Sequence, residues 1–275
     1  MQFNCYKNYA LILVLLLLFA CKTNKKTPEN HREYLVPFID KAEHITNIDE
    51  ACDYVDSALA TIKTPGYEDQ YLVYFFKERR YLAMASKGEK KKNLSKALRY
   101  TDSMTYATSQ DTMQPYYLAQ MAQCHLSKGD VLFEMKKYSL AYQNYFTAKS
   151  LSKRTPTSRV RINYRLATIN YISKRYRQAA LLYIEACNDE IHGEDDFMVF
   201  SNTQTFLDNA GLSYANANML DSAKLYYNKA LRYISENEAK FKNESGFIQC
   251  AKGIIYGNLA KERRGKHLRK FEWKL

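Results

Sequence analysis

The feature that most narrows the fold of this chain is a spacing that occurs three times. The stretches SKGDVLFEMKKYSLAYQNYFTAKSL, RLATINYISKRYRQAALLYIEACND and NAGLSYANANMLDSAKLYYNKALRY each carry a small residue near the start: Gly129, Ala167 and Gly211. Twelve residues on stands an alanine (Ala141, Ala179, Ala223), four further a tyrosine (Tyr145, Tyr183, Tyr227), and three beyond that a second alanine (Ala148, Ala186, Ala230). Positions i, i+4 and i+7 share one face of a helix. Alanines at the two ends of that face let a second helix approach closely, and the aromatic fills the space between them. The upstream small residue sits on the preceding helix and faces the same contact. Each unit therefore reads as a helix hairpin with a small-residue seam. A hairpin alone cannot bury its apolar stripe, so neighbours must stack. The expected fold is all-α, an α-solenoid of stacked antiparallel helix hairpins.

Composition agrees. The chain has only 9 Gly and 5 Pro in 275 residues, less than half the roughly 12% of average usage. A sandwich or barrel needs a turn every 8–12 residues or so, and these residues cannot supply them. There is no GxGxxG and no GxxxxGK[ST], so no phosphate-cradling loop is expected.

The spacing resembles the tetratricopeptide repeat, whose units carry small, aromatic, alanine, aromatic and alanine positions in that order. Gly211, Tyr214, Ala223, Tyr227 and Ala230 match all five. The unit of Gly129 has Leu132 at the first aromatic position, and the unit of Ala167 has Asn170 there, beside Tyr171. The resemblance implies a superhelix whose first helices line a groove for a protein or peptide partner. The groove positions it implies include Asp130, Phe133 and Glu134 in the first unit. They include Arg161, Tyr164, Thr168 and Tyr171 in the second, and Asp208 and Asn216 in the third. Arg161, Tyr164 and Tyr171 are the foremost contact candidates.

The three clear units span 111–236. Over 33–110 the pattern fades into two degenerate helical repeats: Ala51, Val55 and Ala58 fill the three slots of one, and Ala97, Thr101 and Met104 those of the other. Successive alanine slots at 51, 97, 141, 179 and 223 lie further apart than the roughly 34 residues of the resembled repeat. Longer helices or loops are therefore expected, with loops at Lys87–Asn93, Lys153–Ser158 and Asp189–Asp196. Segment 237–275 begins another first helix, with Ala260 in the small slot. Arg263 and Glu272 occupy its later positions. It reads either as a basic capping helix or as an incomplete repeat of a longer protein.

Residues 1–20 read as an export signal. Lys7 precedes eleven apolar residues from Ala10 to Ala20. That length suits a signal core of 7–15 residues or so and falls short of the roughly 20 needed to span a bilayer. The sequence Leu18-Phe19-Ala20-Cys21 resembles the lipobox of bacterial lipoproteins, Phe19 departing from the small residue usual there. The resemblance implies cleavage before Cys21 and its lipidation, with 21–32 as a polar tether. The protein is then expected in the bacterial cell envelope as a membrane-anchored lipoprotein facing the periplasm. The alternative is an uncleaved signal anchor. Cys52, Cys124, Cys187 and Cys250 are far apart, form no CxxC, and read as small buried hydrophobes.

Nothing points to catalysis, a metal or a cofactor. The five histidines (31, 44, 125, 192 and 267) do not pair at helical spacing, and there is no HExxH. His125 reads as a helix-packing residue, and Glu194-Asp195-Asp196 as a solvated loop without the alternating ligands of a calcium site. The net charge of +12 is concentrated at the end, where KERRGKHLRKFEWKL carries seven Lys/Arg and two Glu. An exported chain makes nucleic acid an unexpected partner. The expected function is a non-catalytic protein–protein interaction scaffold on a cell-envelope membrane. The alternative is a sensor or input fragment of a membrane-bound repeat regulator.

Overall fold

The computed structural model describes residues 31–113, 116–152, 156–190 and 196–272. The leader, Cys21, His192 and Glu194-Asp195 lie outside them. Among the described residues there are eleven α-helices and no strand: α1 Arg32–Glu43, α2 Ile48–Ala60, α3 Tyr67–Met84, α4 Lys90–Ser109, α5 Tyr117–Glu134, α6 Tyr138–Leu151, α7 Pro156–Ile172, α8 Tyr176–Asp189, α9 Phe197–Asn216, α10 Leu220–Asn237 and α11 Ser245–Glu272. Consecutive helices pair as α1/α2, α3/α4, α5/α6, α7/α8 and α9/α10. Each pair then leans on the next through α2 on α3, α4 on α5, α6 on α7 and α8 on α9. This serial adjacency is that of an all-α solenoid.

The seam is built as its spacing requires. A Cβ placed on Gly129 of α5 would stand 2.5 Å from Tyr145 Cε1 on α6, and one on Gly211 of α9 would stand 2.6 Å from Tyr227 Cδ1 on α10. The tyrosine rings thus lie against bare helix backbone. Ala141, Ala148, Ala179, Ala186, Ala223 and Ala230 are fully buried. In the middle unit Ala167 keeps its methyl, and Tyr183 is still buried against it. The degenerate units keep the same geometry with different chemistry. Ala51, Val55 and Ala58 are buried on α2, and Ala97, Thr101 and Met104 on α4. Thr101 fits because its hydroxyl donates to the Leu98 carbonyl at 2.7 Å.

The turn between the helices of each clear unit also repeats. Lys136, Lys174 and Asn218 have φ of 61°, 59° and 61°. The next amide bonds five residues back: Lys137 N to Leu132 O at 2.9 Å, Arg175 N to Asn170 O at 2.8 Å, and Met219 N to Tyr214 O at 2.9 Å. These are Schellman caps, with the left-handed position filled by lysine or asparagine instead of the usual glycine. The capped carbonyls belong to the residues at the variable aromatic position. Polar Asn170 is buried there without penalty because its Nδ2 donates to the Leu166 carbonyl.

At the end of the stack α11 packs Ile248, Ala251 and Ile255 against the last hairpin. Its other side leaves Cys250, Ile254 and Tyr256 exposed. Cys250 thus departs from the expectation of four buried cysteines, since α11 is covered on one side only. Cys52 and Cys124 are buried, and all four described cysteines are free thiols.

Candidate functional site

The first helices of the three clear hairpins, α5, α7 and α9, carry the residues expected to line a groove. On α5 Asp130 is buried. Its carboxylate accepts from the Tyr145 hydroxyl at 2.7 Å and from Arg161 Nη2 at 2.5 Å, and Arg165 Nε lies 2.9 Å away. It therefore presents no free charge to a partner and instead joins α5, α6 and α7. Burial, with the neighbouring Asp130 charge, raises the Tyr145 phenol far above its ordinary value, so it stays a donor. The Arg165 guanidinium also lies over the Phe133 ring at 5.8 Å, a cation–π contact. Glu134 is exposed and ion-paired with Lys90 at 3.0 Å.

Beside this hub lies Glu78 of α3, which sequence reasoning missed. It is fully buried, and neither carboxylate oxygen has a hydrogen-bond partner. Burial pushes its carboxyl up to about 7. Arg79 opposes the rise, the Asp130 charge adds to it, and the nearby Ser127 hydroxyl, too poorly placed for a regular hydrogen bond, and Arg161 oppose it more weakly. In the sequence Glu78 sits within Lys77-Glu78-Arg79-Arg80, a charge run that reads as a solvated face.

On α7, Tyr164 packs its ring 5.9 Å from Tyr183 and 5.6 Å from Phe206 of α9. The Thr168 hydroxyl donates to the Tyr164 carbonyl at 2.9 Å. Tyr171 meets Tyr176 edge-on at 5.3 Å and accepts from Asn216 Nδ2 at 3.1 Å, which links α7 to α9. Asp208 accepts from Asn258 Nδ2 of α11 at 3.3 Å, and burial pushes its carboxyl up to about 6. The structure thus gathers Asp130, Arg161 and Phe133 into one cluster and joins Tyr171 to Asn216. It sends Glu134 and Asp208 to other neighbours.

Between α7 and α9 lies a cavity of ≈ 610 Å³. Val160, Tyr164, Met198, Val199 and Phe206 supply its apolar wall, and Arg161, Glu190, Asp196, Asn202 and Thr205 its polar edge. Arg161 and Tyr164 were expected here. Met198, Val199 and Asn202 were not, because α9 begins at Phe197, well before Asp208, the first groove position named on it. Asp196 caps that early start by accepting from Met198 N at 2.8 Å, the role an aspartate fills at a helix N-terminus.

Among the described residues no cluster of three or more His, Cys, Asp or Glu is arranged to hold a metal ion. No described helix is long and apolar enough to cross a membrane. His125 Nδ1 lies 3.1 Å from Asn144 Oδ1, bridging α5 and α6.

No protein-family model matches the chain, and no curated protein matches it. Among solved structures it is similar to the crystal structure of BtubC (BKLC) from P. vanneervenii. The two share 13% sequence identity and a TM-score of 0.56, over 74% of this chain and 76% of that one. What they share is the helical fold. At that identity the likeness carries nothing about partners or chemistry.

Proposed function

We propose that the chain is a non-catalytic protein-interaction scaffold of tetratricopeptide type, tied to a bacterial cell-envelope membrane by a lipid on Cys21 and facing the periplasm. The observation that carries this reading is the cavity between two successive first helices, edged by Arg161 and Tyr164. The seam of Gly129 on Tyr145 and Gly211 on Tyr227, with the same turn in each unit, supports the repeat type. Leu18-Phe19-Ala20-Cys21 after an apolar run supports the anchor. Confinement on a lipid surface raises the effective concentration of weakly bound partners.

The test is photocrosslinking from the membrane fraction, with a photoreactive residue at Tyr171 and a second at Leu181, which is exposed on the second helix α8. Capture of a defined partner from Tyr171 alone is expected; equal capture from both positions defeats the scaffold reading. Metabolic labelling with a clickable fatty acid tests the anchor: the label should vanish in Cys21→Ser.

A second reading, the input part of a membrane-bound repeat regulator, is favoured by the uncovered Ile254 and Tyr256 on α11. Reading the gene past the codon for Leu275 tests it. A continued repeat frame followed by an apolar span is the outcome that supports it.

A further inference from the structure

We infer that the cavity between α7 and α9 anchors the scaffold's partner through a basic side chain, an alkylammonium or alkylguanidinium group carried on a peptide backbone. The inference rests on the scaffold reading above and names what the partner must present.

Charge at the cavity edge points to a cation. Glu190 and Asp196 place two carboxylates there, and among the described lining residues Arg161 is the only cation. Arg161 is committed elsewhere: its guanidinium lies 2.5 Å from buried Asp130, which Arg165 also approaches at 2.9 Å. Arg159, on the same helix, is paired with Asp189 at 3.2 Å. Glu190 accepts from the neutral Asn202 Nδ2 at 3.4 Å, and Asp196 from the Met198 amide at 2.8 Å, so neither contact cancels a charge. The N-terminus of α9 offsets part of the Asp196 charge. Glu190 stands instead at the carbonyl end of α8, where the helix dipole has the sign of its own charge and favours a cation. A neutral guest covering this edge would strip water from the carboxylates and give nothing back, and an anion would be repelled. A cation restores what the lost water supplied. The chain as a whole carries +12, so a cation is drawn here by the local edge and not by the overall field of the molecule.

The rest of the cavity suits the stem and backbone of such a side chain. Val160 and Val199 offer apolar surface to its methylenes, and exposed Met198 has a flexible thioether able to follow their shape. The Tyr164 and Phe206 rings, 5.6 Å apart, belong to the same wall, and an aromatic face attracts a cation more than a neutral group. The Tyr164 hydroxyl makes no hydrogen bond to any described residue, and Asn202 Oδ1 likewise accepts from none. A phenol can donate to a peptide carbonyl, and a carboxamide oxygen can accept from a peptide amide. A free cation would leave both groups unused. The volume of ≈ 610 Å³ falls within the ~300–1,000 Å³ of ordinary ligand sites, with room for the amides on either side of one long side chain. Elsewhere along the same helices the polar groups are spent on each other: Asn216 on Tyr171, Thr168 on the Tyr164 carbonyl, and Asp208 with Asn258. Binding therefore concentrates at one anchor.

The test is a titration of the full chain in an uncharged detergent, carrying 13C-methyl methionine, followed by the Met198 methyl resonance. The probes are N-acetyl-L-argininamide and N-acetyl-L-lysinamide, the neutral N-acetyl-L-citrullinamide and N-acetyl-L-phenylalaninamide, and butylguanidinium, which has the cation without the backbone. Both basic amides should give a saturable shift, with both neutral amides binding at least about tenfold more weakly and butylguanidinium at least about threefold more weakly. Glu190→Gln combined with Asp196→Asn, which keeps a good helix cap, should erase the margin of the arginine over the citrulline probe. Leu225→Glu, on the exposed face of α10, should leave it. No saturable shift with the basic amides, equal binding of a neutral one, or a margin that survives the double substitution overturns the inference. Butylguanidinium binding as tightly as the arginine probe would also overturn it, by assigning the cavity to a free cation. If the double variant does not fold by circular dichroism, the ranking of probes on the unaltered chain decides alone. Partner capture from Tyr171 without binding of the basic probes removes the anchor and keeps the scaffold; their binding without capture does the reverse.

Discussion

Tyr145 lies so close over Gly129 that a methyl at that glycine would come within 2.5 Å of ring atom Cε1. The ring has no room to retreat, being fully buried with its hydroxyl fixed to Asp130. Gly129→Ala gains about 1 kcal/mol of helix propensity but must displace this ring, at a cost of about 1–3 kcal/mol typical of overpacking. A net loss of stability is expected, larger for Gly129→Val. The midpoint of urea unfolding measures it, and a more stable Gly129→Ala would refute the close-seam account.

The three inter-helix turns invite the opposite change. Lys136 and Lys174 hold left-handed backbone, which costs an L-residue roughly 1–2 kcal/mol. Glycine removes that cost and returns part of it as unfolded-state freedom. Lys136→Gly and Lys174→Gly should each raise stability by about 0.5–1 kcal/mol. Asn218→Gly should do less, since asparagine tolerates this conformation. Thermal melts of the three single variants check the ranking.

Glu78 makes stability fall as pH rises. Its folded carboxyl is pushed up to about 7 from an ordinary 4.5, so the folded protein binds the proton more tightly than the unfolded chain does. The associated stability is complete below the unfolded value and is lost as pH climbs from there through about 7. About 2.5 pH units at 1.36 kcal/mol each set it at roughly 3 kcal/mol. Glu78→Gln removes this dependence, so it should match the parent near pH 4.5 and exceed it by up to about 3 kcal/mol at pH 8. Unfolding curves at both pH values decide. Identical pH profiles for the two proteins would show that Glu78 does not titrate as described. Asp208, also raised, titrates in the same direction, and comparing parent with variant cancels its contribution.

Tyr145→Phe tests the hub itself. It keeps the ring over Gly129 and removes only the hydroxyl that Asp130 accepts at 2.7 Å. Hydrogen bonds to a charged group contribute about 1.5–3 kcal/mol, and a loss of that size is expected. The matching change Tyr227→Phe should report whether the cost is peculiar to the third hairpin.

The repeat was legible because its spacing is a property of one helix face. Ala141, Tyr145 and Ala148 mark the seam whatever surrounds them, and Ala97, Thr101 and Met104 fill the same places with altered chemistry. The candidate site was less legible because it depends on where neighbouring helices end. Val199 and Asn202 reach the cavity only because α9 starts early, behind the Asp196 cap. Asp130 stood at a groove position in the sequence. Arg161 and Arg165 close over it, however, and those contacts join residues 31 and 35 positions apart. Glu78 was hidden by its own charged neighbours. The left-handed lysines gave no signal because glycine, the usual marker, is missing at those turns. Cys250 shows the same limit: an apolar stretch reveals that a helix will bury something, not which side its neighbours leave open.

Most contacts in this stack join two helices at a time, but Asp130 fastens α5, α6 and α7 at a single point. It acts as a rivet across the third and fourth hairpins. Under tension between the two ends of the chain, those hairpins should yield together in one late step, after the outer pairs have peeled away one at a time.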